Sequence, residues 1–340
     1  MLRRLVKTLV VSGARSGVGK TTLARELSGL LPGSVRVKIG HCEKKEKEDD
    51  GFYYRRGITF REIARRHADA SFLIIESNGI LDEITPDLAF YLGADRPKPS
   101  AALAERKADV VRGSSVGPSE VARLARRLSL DDVTVRKAVW LAGARPRRAT
   151  AVVLAGGTSS RMGRDKAQLV VEGAPLVERI RDTLAPYFDE LLLSVSELPA
   201  DGTPGGMRVV VDRTPGLGPL EGIASSLAAA EGEVCFVAAC DVPDVSMPLV
   251  YRLLAYSEDY DAVLPSLRPG TVEPLFGVYA RGAADAAERA LRMGRRKASS
   301  VAGLCRAKII REAEPAWYVN LNTPDDYADY IGRDSTEREP

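Results

Sequence analysis

The stretch "TAVVLAGGTSSRMGRDKAQL", residues 150–169, runs from an apolar strand directly into a loop of glycine, hydroxyl and basic residues. A strand that empties into such a loop is the junction at which α/β sheets bind ligands. Gly156 and Gly157 let the backbone approach a nucleotide closely, and Arg161 and Lys166 bring fixed positive charge to phosphates. The loop is not a P-loop, because no Gly-Lys-Ser/Thr closes it, and its glycines miss the first-third-sixth spacing of a dinucleotide site.

Working outward, the chain already carries a different phosphate loop. "ARSGVGKTT", residues 14–22, fits the P-loop pattern with Ala14 in the first glycine's place. Gly17, Val18 and Gly19 form the turn whose N–H groups wrap phosphates at a helix N-terminus. Lys20 reaches the terminal phosphates, Thr21 ligates Mg²⁺, and Thr22 follows in the same turn. Glu76, after "FLII", is the candidate acidic metal ligand or water-organiser; a polar residue exposed at a strand end is the other reading.

Around each loop the same rhythm recurs. "RLVKTLVVSG", "SVRVKIG", "SFLIIESNG", "DLAFYLGA" and "KADVVRG" read as strands of the first half, with helices at "KTTLARELSGLL", "ITFREIARRH" and "PSEVARLARRL". The second half alternates likewise from "TAVVLAGG" to a last helix at "TPDDYADYIG". The expected fold class is α/β: a P-loop NTPase-like domain, then a Rossmann-like domain, both with mainly parallel sheets. The expected boundaries are 1–143, a linker 144–149 ("ARPRRA"), 150–333, and a disordered tail 334–340. Segment 131–143 has no clear period and stays unassigned.

Length and charge agree with two domains. The chain has 340 residues. Residues 1–148 hold 29 Lys and Arg against 18 Asp and Glu, and the remainder holds 20 against 28, so a basic half precedes an acidic one. No apolar run is long enough for a membrane span. No zinc-finger or RNA-recognition spacing points to nucleic acid. Cys42, Cys235, Cys240 and Cys305 form no CxxC pair, which suits reduced thiols in the cytoplasm.

The motifs also carry family resemblances. "LAGG" with "RMG" and "DK", followed by "VVVDRTPGLGPLEGI", "VAACDVPDV", "EPLFGVY" and "VNLNTPDDY", resembles the MobA-type molybdenum cofactor guanylyltransferases over about residues 150–330. That resemblance implies that the second, Rossmann-like domain is a nucleotidyltransferase domain, and that it transfers GMP from Mg²⁺–GTP to molybdopterin with release of pyrophosphate. It implies that Leu154, Ala155, Gly156 and Gly157 face guanine and ribose, and that Arg161 and Lys166 bind the β- and γ-phosphates. It implies that Asp212 contacts the nucleotide and that Asp241 holds Mg²⁺, with Asn322 as a second ligand. Arg295, Arg296 and Lys297, with Asn320 and Asn322, are implied near the pterin substrate. A helix N-cap is the other reading of Asp241, and a solvated basic turn that of Arg295–Lys297. "VKIGH", "DDGFYYRRG" and "IIESNGI" with the P-loop resemble the MobB-type GTP-binding adaptor over about residues 5–115, although Cys42 and Glu43 follow His41 here and Ser77-Asn78 follows Glu76. The pair of resemblances implies molybdenum-insertion proteins and molybdoenzyme chaperones as partners.

The chemistry is consistent with this. A phosphate monoester attacking the α-phosphorus of a nucleoside triphosphate is already an anion and needs no strong base. It needs charge neutralisation, a metal and alignment. The chain's two histidines, His41 and His67, both lie in the first half, so the second half cannot use one. The donor base stays open between guanylyl and cytidylyl transfer, or another nucleotidyl transfer. A P-loop adaptor whose second domain only binds ligand stays open too.

Overall fold

The computed structural model describes residues 6–40, 47–48, 51–94, 97–99, 101–156, 169–171, 173–198, 205–266, 270–312 and 318–336, with backbone alone at 47–48 and 333–336. The chain divides into two units, Met1–Pro146 and Arg147–Pro340. No helix among the described residues is long and apolar enough to cross a membrane.

The first unit runs β1 (Lys7–Gly13), α1 (Lys20–Leu30), β2 (Ser34–Gly40), β3 (Lys47–Glu48), β4 (Gly51–Arg55), α2 (Phe60–Arg66) and β5 (Phe72–Glu76). It continues with β6 (Leu88–Leu92), α3 (Ala101–Arg106), β7 (Val110–Val111), α4 (Pro118–Leu128) and α5 (Asp132–Leu141). The sheet order is β3-β4-β2-β5-β1-β6-β7. Every pairing is parallel except β3 with β4. The central strands "KTLVVSG", "FLIIE" and "LAFYL" are apolar on both faces because helices cover both. Leu9 and Val11 pack with Leu23, Leu27, Leu124 and Val139 of α1, α4 and α5. Val10 points the other way, to Ile63 of α2 and to Ala101 and Ala104 of α3.

Caps fix the helix ends. Thr59 and Glu62 form a reciprocal capping box on α2, a device that contributes about 1 kcal/mol. The unassigned segment 131–143 is α5, begun by the Asp131 carboxylate accepting from Thr134 N at 2.8 Å. The strand read at "KADVVRG" shrinks to two residues, and a short helix, α3, precedes it. His67 is a core residue, its Nε2 3.0 Å from the Tyr54 hydroxyl.

The second unit runs β8 (Ala149–Leu154), β9 (Val170–Val171), β10 (Ala174–Pro175), α6 (Leu176–Leu184), β11 (Glu190–Val195), β12 (Arg208–Val211) and α7 (Pro219–Ala229). Then come β13 (Val234–Ala239), α8 (Met247–Tyr256), β14 (Ala262–Ser266), β15 (Phe276–Ala280), α9 (Gly282–Arg292), β16 (Ala307–Arg311) and α10 (Pro324–Thr336). The main sheet has order β12-β11-β8-β13-β15-β14-β16. β15 is antiparallel to both its neighbours, so this sheet is mixed, and the other pairings are parallel. On one face α7 and α9 meet through small side chains, Ala224 and Ala283, Ala286, Ala287 and Ala290. On the opposite face Phe236 stacks on Phe188 and meets Phe276 edge-on.

Residues 144–149 hold no free linker. Ala144 is fully buried in the first unit's core and Ala149 already opens β8. Arg147 pairs with Glu258 at 3.1 Å inside the second unit. At the other end α10 extends through Thr336, so 334–336 are helical rather than part of a disordered tail, and 337–340 lie outside the described residues.

Candidate functional site

In the second unit the site residues gather at the carboxyl ends of β8, β11, β12 and β13. Ala155 N donates to Ser194 O at 2.8 Å, and Cys240 N donates to Leu154 O at 3.0 Å. These bonds hold the turn after β8 between its neighbours. Gly156 lies so close to β11 that a Cβ there would come within 2.8 Å of Ser196 N, so only glycine fits. Gly157, Arg161 and Lys166 lie outside the described residues.

Asp212 follows β12, its N–H donating to Val195 O at 2.9 Å. Burial, then the neighbouring Glu221 carboxylate, push its carboxyl up to about 6. Glu221 is itself only 3% exposed and is held by the Ser225 hydroxyl, which donates to it at 3.0 Å. Arg213 reaches the same carboxylate at 3.5 Å and Glu288 at 3.0 Å. Two carboxylates thus share a partly dry corner, and one of them faces the strand ends.

Asp241 lies just past β13. Helix α8 starts at Met247 with Ser246 at its cap, so Asp241 is not the helix cap. Instead its carbonyl accepts from Leu321 N at 2.9 Å, which brings Asn320 and Asn322 beside it. The Asp326 carboxylate fixes that segment by accepting from Asn322 N at 3.1 Å and Thr323 N at 2.8 Å. Leu321 is fully buried with Leu169, Leu176 and Tyr330. Tyr318 donates to Glu273 Oε2 at 3.0 Å, and burial beside that carboxylate keeps the phenol protonated. A cleft of about 510 Å³ opens between residues 216–219, 272–275 and 296–299. Arg296 and Lys297 line it; Arg295, one residue earlier, is exposed and does not.

The first unit has its own constellation. Gly17 and Gly19 take positive φ of 80° and 91°, which only glycine adopts freely. Gly19 caps α1 with no side-chain bond, leaving the helix N–H groups directed outward. Ala14 is buried, held by its N–H to Leu92 O at 3.0 Å. Val18 O accepts from the Arg112 guanidinium at 3.1 Å, while Thr22 is exposed on the first turn of α1. Lys20 folds over the loop and donates to Arg15 O at 2.7 Å. Thr21 donates to Glu76 Oε2 at 2.8 Å, and Lys38 donates to Thr21 Oγ1 at 3.3 Å. Glu76 is 5% exposed, so the reading of an exposed strand-end residue fails. Partial burial lowers Lys20; Glu76 opposes that, and Lys98 and Lys38 add to it. A cleft of about 580 Å³ runs beside these groups, lined also by Arg15, Arg56 and Lys98.

Several site residues had no sequence signal. Glu221 and Ser225 sit in a helix whose spacing reads only as packing. Lys38 is one lysine in a strand. Asn78, which exchanges two hydrogen bonds with Gly13, is legible only as a polar residue after "FLIIE".

Comparison with known proteins gives the second unit its relatives. The family model for the MobA-like NTP transferase domain matches residues 151–308. A probable molybdenum cofactor guanylyltransferase of Pelotomaculum thermopropionicum is 37% identical over 188 residues, 53% of this chain and 90% of the relative. One from Carboxydothermus hydrogenoformans is 34% identical over 187 residues, 52% of this chain and 92% of the relative. Molybdopterin-guanine dinucleotide biosynthesis protein A from Archaeoglobus fulgidus aligns in structure with 24% identity and a TM-score of 0.47, over 55% of this chain and 99% of that one. With a relative matched at 37% identity across nine-tenths of its length, the chain belongs to the molybdenum cofactor guanylyltransferase family.

Proposed function

We propose that this chain transfers GMP from GTP to the phosphate of molybdopterin, and that the second unit does so while the first binds a nucleotide as an accessory. The observation that carries this is the convergence of Asp241, the Leu154–Gly156 turn, Asp212 and the Asn320–Asn322 segment at one end of the second sheet. A phosphate oxygen of molybdopterin attacks the α-phosphorus of GTP. The bond to the bridging α–β oxygen breaks, and pyrophosphate leaves. The attacking group is an anion, so no base is required of the protein.

Each residue then has a task. The turn at Leu154, Ala155 and Gly156, continuing into Gly157, accepts the nucleoside, and Asp212 contacts it. Arg161 and Lys166 hold the departing pyrophosphate. Asp241 would hold Mg²⁺, with Asn322 beside it. Aspartate and amide oxygens are hard donors, and Mg²⁺ is commonly bound by one or two carboxylates plus substrate phosphates. When bound, the ion neutralises charge on the phosphates. The cleft at Arg296 and Lys297 is the acceptor side, where two cations face an incoming phosphate.

The first unit is read as a P-loop GTP-binding adaptor. Gly17–Thr22 wrap the phosphates, and Thr21 and Glu76 would hold its Mg²⁺. The enzyme works in the cytoplasm beside molybdenum-insertion proteins and molybdoenzyme chaperones. Incubating the chain with molybdopterin, Mg²⁺ and GTP, CTP or ATP in turn tests the donor. GTP is expected to yield the dinucleotide and pyrophosphate; a faster reaction with CTP would make the chain a cytidylyltransferase.

A further inference from the structure

Lys38 is not part of the P-loop, yet strand register places it at that loop's centre. β2 pairs with β5 so that Lys38 stands opposite Glu76. Its ammonium donates to Thr21 Oγ1 at 3.3 Å, and that hydroxyl donates onward to the buried Glu76 carboxylate at 2.8 Å. A hydroxyl has one proton and two lone pairs. With its proton committed to Glu76, Thr21 offers its lone pairs either to an ammonium or to a metal ion. Lys20 donates instead to Arg15 O.

We propose that Lys38 is a built-in competitor for the divalent cation at Thr21 and Glu76, and that phosphate binding removes the competition. The inference rests on reading the loop as a nucleotide site. A divalent ion on Thr21 and Lys38 on the same oxygen repel each other, so metal entry requires the ammonium to swing away. The cleft it swings into is lined by Lys20, Lys38 and Lys98, where phosphate oxygens give it a new anionic partner. Free protein therefore holds the metal weakly, and nucleotide and metal bind together. Lys38 is a positioning residue that enforces the coupling.

The test is Mn²⁺ titration of the full chain, followed by electron paramagnetic resonance without nucleotide. Lys38→Met is expected to tighten one Mn²⁺ site by about 10-fold through loss of the like charge. Lys38→Arg, which keeps the cation, should stay near wild type, and Lys38→Met with Glu76→Gln should lose the gain. Saturating GTP should shrink the difference between wild type and Lys38→Met. An unchanged isotherm in a natively folded Lys38→Met overturns the proposal. So does an equal gain in Lys38→Arg, or a gain that survives Glu76→Gln. Failure of the underlying reading looks different: Lys20→Ala would bind as many GTP molecules per chain as wild type.

Discussion

Asp212, to which the proposed function gives the nucleotide contact, is tuned by burial and by the carboxylate that lies beneath it. Its carboxyl, pushed from the ordinary 3.8 to about 6, keeps its proton in the folded chain at a pH where the unfolded chain has lost it. The folded state then binds more protons across that window, so stability falls as pH rises from about 4 to 6. Asp212→Asn removes the effect. It should stabilise the free protein by about 1 kcal/mol at pH 7, a figure already reduced for solvent screening, and by nothing at pH 4. Urea unfolding at the two pH values checks this; an equal effect at both would place the cause elsewhere. Glu221→Gln should bring the Asp212 titration back toward the ordinary range, readable by carboxyl NMR shifts. The places of Asp241 and Gly156 at strand ends were legible in sequence because each follows an apolar run, but the helix-cap reading of Asp241 fell only when Ser246 proved to cap α8. Glu221 was not legible, because a buried glutamate has no spacing of its own.

At the level of elements, α7 is the part that sets Asp212 in place. A Cβ on Gly222 would meet Ser194 Oγ at 2.9 Å, Leu154 Cδ2 at 3.3 Å and Asp212 Oδ1 at 3.5 Å. Gly222→Ala therefore forces the Ser194 hydroxyl aside and crowds Leu154 and Asp212. It should cost about 1–3 kcal/mol of stability, as overpacking does, and raise KM for GTP more than it lowers kcat. A melting curve and steady-state kinetics read the two effects; an unaltered KM would separate α7 from the nucleotide. Helix α5 was illegible for a related reason. Val133, Thr134 and Val135 favour strands locally, and only the Asp131 cap and the packing of Val135, Ala138 and Val139 on the first unit's core make the segment helical. The antiparallel β15 was equally hidden, since "PLFGVY" carries no sign of strand direction.

For the whole molecule, the charge asymmetry and the repeated strand–loop–helix rhythm were enough to suggest two α/β halves. The seam needed the coordinates, because a basic proline-containing stretch looks like a linker whether or not its side chains are buried. Arg147 belongs to the second unit through Glu258, whose side chain is 3% exposed. A fragment of residues 147–340 should therefore fold cooperatively and keep guanylyl transfer, while one cut at 149 loses the Arg147–Glu258 pair and melts lower. Thermal unfolding of both fragments decides this, and equal melting temperatures would deny the pair a role.

Two loops make two nucleotide sites in the proposed function, with the synthetic chemistry at the second. Pyrophosphate release from GTP in the presence of molybdopterin and Mg²⁺, measured on wild type, Asp241→Ala and Lys20→Ala full chains, tests it most directly. Asp241→Ala should lose at least about 100-fold in rate, the scale of a lost electrostatic or metal contact, while Lys20→Ala keeps transfer but binds one GTP fewer per chain. Near-normal release by Asp241→Ala, or its abolition by Lys20→Ala alone, would contradict the assignment.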